Sequence, residues 1–202
     1  MLVGFGTGEQ QARRLERLAS GEVVASFALT EPGAGSAPAG LRTTARHDRG
    51  GWVIDGEKCF ITNAPIAGLF VVFARTHPAG EDGTGIAAFL VPSDTPGVRV
   101  GPHDRKMGQE GAWTATVAFT DVRVPGTALV GGAGRPRARP RNRRTLRFRC
   151  GPADRPVRGE TVLRDVAVER IYRDVRLLRL YEGTSEIQCL VIGGGLVRAA
   201  RR

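Results

Sequence analysis

The stretch WTATVAFTDVRV, from Trp113 to Val124, decides the fold class. As far as Phe119 its apolar side chains alternate strictly, which is the period of a strand with one buried face. The alternation resumes at Val122 in the opposite phase. A slip of one residue moves every side chain to the other face, so the pattern predicts a bulge or a strand end near Thr120 and Asp121.

Five other short stretches between Val23 and Val124 carry strand signals. Each is β-branched or aromatic and is bounded by Gly, Pro, Asp or Asn. They are VVASFAL, GWVID, CFIT, LFVVFAR and GIAAFLV. The segment RHDRGGWVI contains a hairpin-type turn at Asp48 to Gly51. Six or more short strands without intervening helices predict an antiparallel barrel or sandwich.

Helical signals flank this region on both sides. Residues Thr7 to Leu18 read as a helix, and Thr7 with Gln10 fits a capping box. Apolar residues recur at helical spacing between 163 and 182, and Ser185 with Gln188 fits a second capping box. The expected class is therefore α+β, with an antiparallel β-barrel or sandwich in the middle and short helical segments at both ends.

Composition limits the remaining possibilities. No run of 18 or more apolar residues exists, and the first residues lack the order of a signal peptide, so we expect a soluble, cytoplasmic protein with no membrane partner. The three cysteines and three histidines fall at no metal-ligand spacing, so we predict no metal site.

The net charge of +10 is concentrated in one segment. Residues 135–149, RPRARPRNRRTLRFR, hold eight arginines and no acid, and the other 22 basic residues nearly balance 20 acidic ones. With little apolar periodicity, residues 133–158 are expected to be disordered. An Arg-rich nucleic-acid or acidic-surface binder is one hypothesis, but no aromatic platform or helix-turn-helix accompanies the charge, so nucleic acid is not the expected partner.

Two stretches have the composition of a ligand site. In FALTEPGAGS, Phe27 to Ser36, glycines allow a tight turn and hydroxyls are available, which suits a polar-ring or anion cradle. Pro38 excludes a GxGxxG dinucleotide fingerprint. In KCFITNAP, Phe60 and Thr62 share one face of a strand, where a flat ring could stack. Taken singly, an ordinary turn and an ordinary core strand remain open alternatives.

The combination of motifs resembles the acyl-CoA dehydrogenase family. ALTEPGAGS, GWVIDGEKCFITNA, GIAAFLVPSDTPGV, KMG with FTDVRVP, and VERIYRDVRLLRLYEGTSEIQ occur in that order. The resemblance implies a middle β-barrel domain between α-helical domains, with FAD and an acyl-CoA thioester held between them. It divides the chain into a remnant of the N-terminal helical domain at 1–22, the middle domain at 23–132, the Arg/Pro-rich segment at 133–158 and a remnant of the C-terminal helical domain at 159–202.

Site residues follow from the resemblance, position by position. Thr30 would bond the pyrimidine side of the flavin, Ser36 would lie near the flavin pyrophosphate and the acyl-CoA, and Thr62 would approach flavin N5. Glu182 matches the catalytic base that removes the α-proton, with Gly183 leaving room for the substrate carbonyl. The full set of expected cofactor-binding residues is Phe27, Thr30, Gly35, Ser36, Phe60, Ile61, Thr62, Thr184, Ser185 and Glu186, and the expected substrate-binding residues are Ser36 and Gly183.

The expected activity is FAD-dependent α,β-dehydrogenation of an acyl-CoA, with an electron-transfer flavoprotein or similar acceptor and a homo-oligomer in the active form. Relatives in the family are about twice as long, so the chain is also interpreted as truncated, and a catalytically dead fragment is an alternative. A flavin oxidase or monooxygenase on the same fold is another, although the monooxygenase needs no α-base such as Glu182.

Overall fold

A computed structural model describes residues 1–76, 85–131, 167–178, 180 and 183–200. These residues form two compact units. The sheet unit contains the described residues up to Asp104 and those from Gly111 to residue 131. The helical unit contains Arg105–Glu110 and the described C-terminal residues.

The sheet unit is a single curled sheet of seven strands. Along the sheet the order is β1-β4-β2-β3-β7-β6, and β5 pairs with β4 off this path. The strands are β1 (Ala25–Ala28), β2 (Thr44–Asp48), β3 (Gly51–Thr62), β4 (Leu69–Arg75), β5 (Ile86–Pro92), β6 (Val98–His103) and β7 (Thr114–Pro125).

The predicted phase slip in β7 is a β-bulge. Ile54 of β3 pairs with Val122, whereas Gly56 pairs with Phe119, so Thr120 and Asp121 together oppose Asp55. Buried side chains lie at Phe119 and again at Val122, which is the change of phase that the sequence showed. Because a carboxylate oxygen of Asp55 accepts the Asp121 backbone N–H at 2.7 Å, the extra residue keeps a hydrogen-bond partner.

The predicted hairpin turn also forms. Strands β2 and β3 are antiparallel with Asp48 opposite Gly51. Arg49 and Gly50 between them both have positive φ, at 39° and 86°. Two left-handed residues in a two-residue loop define a type I′ turn, whose twist matches that of the strands it joins.

The expectation of a purely antiparallel sheet is wrong. Strand β1 runs parallel to β4, from Ala25 opposite Leu69 to Ala28 opposite Val72, and β2 meets β4 in parallel at Thr44. Parallel neighbours need a crossover connection. Here the connection between β1 and β4 contains the β2–β3 hairpin. The alternation of side chains within one strand does not indicate which distant strand pairs with it, so the pairing of β1 with β4 was not predicted.

The α+β label is only partly confirmed, because the described residues are mostly β with a few short helices. GWVID and CFIT are one long strand, β3, rather than two. Strands β2 and β6 were not predicted. Most of the β6 side chains are partly or fully exposed, which gives the sequence no apolar alternation to detect.

Two apolar clusters form the core of the sheet unit. One centres on the aromatic residues Phe70, Phe89 and Phe119, with aliphatic residues of β3 and β7 around them. The other lies around Leu41, Phe73 and Leu90 and includes Leu2 of the N-terminal segment. Both clusters, as far as the described residues show them, are built from residues of the sheet unit.

Two N-terminal helices belong to the sheet unit: α1 (Leu2–Phe5) and α2 (Gly8–Ala19). The capping box predicted for Thr7 and Gln10 is confirmed. Gln10 also donates its side-chain amide to the carbonyl oxygens of Thr127 at 2.7 Å and Leu129 at 2.8 Å, just beyond β7. One buried side chain thus starts the helix and attaches it to the sheet unit.

The helical unit contains α3 (Ala167–Leu177) and α4 (Ser185–Ala200). Arg173 of α3 donates to the Met107 carbonyl at 2.6 Å and to Glu169 one turn earlier at 2.7 Å. The Gln109 backbone N–H donates to the Asp174 carboxylate. These contacts hold the short segment Arg105–Glu110 on α3.

The segment predicted to be disordered, 133–158, lies outside the described residues. Cys59 is buried, Cys189 is exposed, and Cys150 falls in the same undescribed segment. None of the helices in the described parts of the chain is long and apolar enough to cross a membrane.

Candidate functional site

The loop from Thr30 to Ser36 leaves β1 and folds into a tight turn. Glu31 and Ala34 exchange two backbone hydrogen bonds across it, at 3.0 and 3.2 Å. A Cβ built on Gly33 or Gly35 would meet nothing within 4 Å, so the space beside both glycines is open. Their role here is therefore not close packing, and the loop has room for a ligand along its exposed edge.

The end of β3 turns Phe60 outward. The pairing of β3 with β7 is irregular between Lys58 and Ile61, and Phe60 there has a φ of 56°. The left-handed conformation is unfavourable for a residue with a Cβ. It lets Lys58 and Cys59 both be buried while the Phe60 ring remains 69% exposed. An exposed aromatic ring on a strained bulge is a surface on which a flat ligand can stack.

Thr62 is exposed like Phe60, as the alternation predicts. Ser26 of β1 donates its hydroxyl to the Thr62 carbonyl at 2.8 Å, which ties the end of β3 to β1. The Ile61 side chain, in contrast, is 2% exposed and belongs to the core. Of the three predicted positions on this strand, Ile61 can therefore offer a ligand only its main chain.

Phe27 lies on β1, before the loop. Its ring is 46% exposed and packs on Phe73 with a centroid distance of 4.7 Å and an interplanar angle of 54°. One part of the ring contributes to the core while the rest faces outward. Thr30 is half-buried, and its carbonyl accepts the Cys59 backbone N–H at 2.9 Å.

Two charged residues near this loop were not singled out in the sequence. Lys58 is 0% exposed and Glu31 is 6% exposed. The Lys58 ammonium donates to the Glu31 carboxylate at 2.8 Å and to the Leu29 carbonyl at 3.0 Å. A lysine inside a strand that is otherwise apolar at its buried positions is the signal that could have revealed them, because such a charge needs a partner.

Hydrogen bonds surround the Glu31 carboxylate. It accepts from the Arg42 backbone N–H at 2.6 Å, the Thr43 backbone N–H at 2.9 Å and the Thr43 hydroxyl at 2.6 Å. Burial raises the pKa of this carboxyl, but the bonds from Lys58 and Thr43 outweigh it and hold the pKa below its ordinary value. Burial lowers the pKa of the Lys58 ammonium, and the Glu31 contact opposes that shift only in part.

The remaining predicted site residues lie in the helical unit. Gly183 has a φ of 88°, and a Cβ there would come within 3.0 Å of the Gln188 side chain, so both conformation and space favour glycine. The Thr184 hydroxyl accepts the Ile187 backbone N–H at 3.4 Å, at the start of α4. The capping residue is therefore Thr184, and the capping box predicted for Ser185 is wrong by one position.

The side chains of Ser185 and Glu186 are not described, although both residues begin α4. Glu182 lies outside the described residues, and its role as a base stays a prediction. In the part of the chain that the structure describes, no group of three or more His, Cys, Asp or Glu side chains could hold a metal ion.

The structure thus brings part of the predicted site together. Thr30 and β3 are joined directly by the Thr30–Cys59 backbone bond, and the Ser26–Thr62 bond joins β1 to the end of β3. The open glycine loop, the exposed Phe60 ring and the Thr62 side chain all belong to the sheet unit. This arrangement offers an aromatic face, hydroxyls and free backbone to a flat, polar-edged ligand.

Comparison with known sequences assigns the chain to a family of flavin enzymes. The family profile described as acyl-CoA dehydrogenase, middle domain, matches residues 26–122. The profile described as acyl-CoA dehydrogenase, C-terminal domain, matches residues 155–197. The chain belongs to the acyl-CoA dehydrogenase family, as its motifs indicated.

Individual relatives agree with this assignment. The chain is 43% identical over 136 residues to a probable acyl-CoA dehydrogenase of Bacillus subtilis, covering 66% of this chain and 22% of that protein. It is 41% identical over 133 residues to the human mitochondrial short-chain specific acyl-CoA dehydrogenase, covering 66% of this chain and 32% of that protein. The chain therefore matches a third or less of the length of these two relatives.

A solved structure supports the fold. A glutaryl-CoA dehydrogenase of Mycobacterium smegmatis, in complex with FADH2, aligns with a TM-score of 0.59 and 39% sequence identity. The alignment covers 63% of this chain and 32% of that one. The predicted family resemblance is confirmed.

Proposed function

We propose that this chain binds FAD and takes part in the α,β-dehydrogenation of an acyl-CoA thioester. The observation that carries the proposal is the exposed Phe60 ring on its bulge, next to Thr62 and bonded through Cys59 to Thr30. The M. smegmatis relative was solved with FADH2, and the curated relatives are acyl-CoA dehydrogenases, which is why FAD is the flavin proposed here.

The residues of the sheet unit suit a flavin. Phe60 would stack on one face of the ring system, and the Thr30 and Thr62 hydroxyls would bond its polar edges. Phe27 would extend the apolar surface, and Gly35 and Ser36 would face the phosphates and the thioester along the open side of the loop. Of Ile61, the main chain alone would contribute, since its side chain is in the core.

The family resemblance implies a second set of groups in the C-terminal residues. Thr184, Ser185 and Glu186 stand at the start of α4, where free backbone N–H groups and the helix dipole favour phosphate oxygens. Gly183, without a side chain, would leave space for the thioester carbonyl. These positions, like those in the sheet unit, follow the family motifs residue by residue.

The chemistry divides between one side chain and the cofactor. The Glu182 carboxylate would accept the α-proton of the thioester as a general base. Hydrogen bonds to the thioester oxygen would acidify that α-carbon. When bound, FAD supplies the hydride acceptor for the β-carbon. An electron-transfer flavoprotein or a similar acceptor would then take the electrons.

The proposal is tested by reconstitution. The purified chain is mixed with FAD, free flavin is removed, and acyl-CoA thioesters of several chain lengths are added without oxygen while the visible flavin band is followed. Retention of FAD and bleaching of the band by at least one acyl-CoA are expected. FAD retained but never bleached would leave a cofactor-binding chain without dehydrogenase activity, and no retention at any protein concentration would refute the proposal.

The oligomeric state of the chain can be measured on the same reconstituted sample. We propose that the active form is a homo-oligomer in which copies share site residues, as the family resemblance implies. Light scattering of the flavin-loaded sample measures this directly. The nucleic-acid hypothesis rests on residues 135–149, outside the described residues, and the family assignment does not favour it.

A further inference from the structure

Three consecutive residues at the start of the loop are each bonded to one short piece of β3. The Leu29 carbonyl accepts from the Lys58 ammonium at 3.0 Å, and the Thr30 carbonyl accepts from the Cys59 backbone N–H at 2.9 Å. The Glu31 carboxylate accepts from Lys58 at 2.8 Å. Thr30 is therefore held from both sides, and the residues that hold it directly precede the exposed Phe60.

The polar atoms of the pair are almost completely used. Glu31 receives three further bonds, from Arg42 and Thr43, which continue the chain from the loop towards β2. One end of the loop is thus bonded at Leu29 and the other at Thr43, with Lys58 and Glu31 in between. Between these two ends, a Cβ built on Gly33, Gly35 or Gly40 would meet nothing within 4 Å, so the loop has open space beside its glycines.

Stability alone is a weak reason to keep such a pair. Taking two charges out of water is costly, and apolar residues of similar volume often replace a buried ion pair without loss of stability. An apolar residue at position 58, however, would leave the Leu29 carbonyl without its donor. An apolar residue at position 31 would accept no hydrogen bonds from Arg42 and Thr43. What the charged pair adds is a fixed geometry between two chain segments.

We propose that Lys58 and Glu31 are positioning residues that fix the Thr30 loop against the Phe60 bulge, so that both meet one face and one edge of the same flavin. The inference rests on the proposed function, because the ligand is the FAD proposed above. Neither side chain is exposed enough to touch the ligand, so both act through Thr30 and Phe60.

The test separates geometry from stability. In the double variant Glu31→Gln/Lys58→Met both charges are removed and the volume is approximately kept, but the Leu29 carbonyl loses its donor, so the thermal midpoint should fall by no more than in the core variant used as the control. FAD affinity, measured by flavin fluorescence, should nevertheless fall by about tenfold or more, because the Thr30 loop is no longer held in a fixed position relative to the Phe60 bulge.

The matched control is Val122→Ala. This residue is buried in the core, pairs with Ile54 beyond the bulge at Asp121, and makes none of the hydrogen bonds between the loop and β3 described above. It should lower the thermal midpoint and leave FAD affinity within about twofold of the wild type. Wild-type affinity in the double variant, or affinity that follows the thermal midpoint across all three proteins, would overturn the inference.

Hydrogen exchange without flavin distinguishes this inference from the proposed function. In the double variant, amide exchange in Leu29–Ser36 and at Cys59 should be faster than in Val122→Ala at equal global stability. Equal exchange in the two variants would overturn the positioning role even if FAD binds. If the wild type binds no FAD, the proposed function is wrong. The exchange rates of the two variants would still show whether Lys58 and Glu31 fix the loop.

Discussion

The sheet unit and the helical unit differ in how they bury apolar surface. In the sheet unit, apolar side chains fill two buried clusters, and the exposed apolar residues include Phe27 and Phe60 at the candidate site. In the helical unit, Tyr172, Leu180 and Leu190 are exposed, the last of them by 71%. One unit has a core of its own, whereas the described helices show apolar surface that still needs a partner.

This difference separates two kinds of function. A cofactor surface needs residues held in a fixed geometry, and the sheet unit provides them on strands tied by backbone and buried polar bonds. The predicted base, Glu182, lies in the sequence between α3 and α4, the two helices of the other unit. We therefore expect binding to depend on the sheet unit, and the chemical step to depend on the helical unit and on association with other copies.

The largest effect is expected from Glu182→Gln. If the base is in the C-terminal segment, flavin reduction by an acyl-CoA should slow by about 10²–10⁴-fold, with FAD affinity unchanged. Single-turnover reduction under anaerobic conditions measures the rate, and Glu9→Gln on the exposed side of α2 is the control. Equal reduction rates in Glu182→Gln and the wild type would contradict the assignment of the chemical step to the C-terminal residues.

The next effect concerns the attachment of α2 to the sheet. Gln10→Ala would remove the donor to the Thr127 and Leu129 carbonyls and half of the capping box. The free energy of unfolding of the sheet unit should fall by about 2–3 kcal/mol, measured by denaturant unfolding. Arg13→Ala, on the exposed face of the same helix, should change it by less than about 0.5 kcal/mol. Similar values for both would show that α2 is not part of the core.

A smaller and more specific effect is expected at Phe60. Glycine accepts the left-handed conformation without strain, so Phe60→Gly should raise the free energy of unfolding by about 0.5–1 kcal/mol. It should also weaken FAD binding by about tenfold, since the stacking ring is gone. Phe60→Asn, which tolerates the same conformation, should weaken FAD binding similarly. A loss of stability in Phe60→Gly would mean that the ring packs on the protein itself.

The smallest effect is a dependence of stability on acid pH. The Glu31 pKa in the folded state lies below its ordinary value of 4.5, so the unfolded chain takes up the proton first as pH falls. The stability that this carboxylate contributes is present above 4.5 and is lost as pH decreases through the folded value. Glu31→Gln should flatten the fall in unfolding free energy below 4.5, as measured by denaturant unfolding at a series of pH values.

Sequence patterns predicted some elements because their signals are local. The phase slip at Thr120 and Asp121 is read within one strand, and the turn at Asp48 to Gly51 needs only its own residues. The parallel pairing of Ala25 with Leu69 was missed because no local pattern records which distant strand lies alongside. At the candidate site the alternation of Phe60 and Thr62 was predictable, whereas the Glu31–Lys58 pair depends on a contact between two separate segments.

The parallel pairing of β1 with β4 has a consequence for the synthesis of the chain. β1 and the loop that follows it leave the ribosome early, but β1 has no place in the sheet until Leu69–Arg75 has been made. Contacts between residues far apart in sequence form slowly, because the loop between them must first close. A growing chain that ends before Leu69 therefore carries the Thr30 segment next to an unpaired β1, and we expect it to bind the proposed FAD only after that strand has emerged.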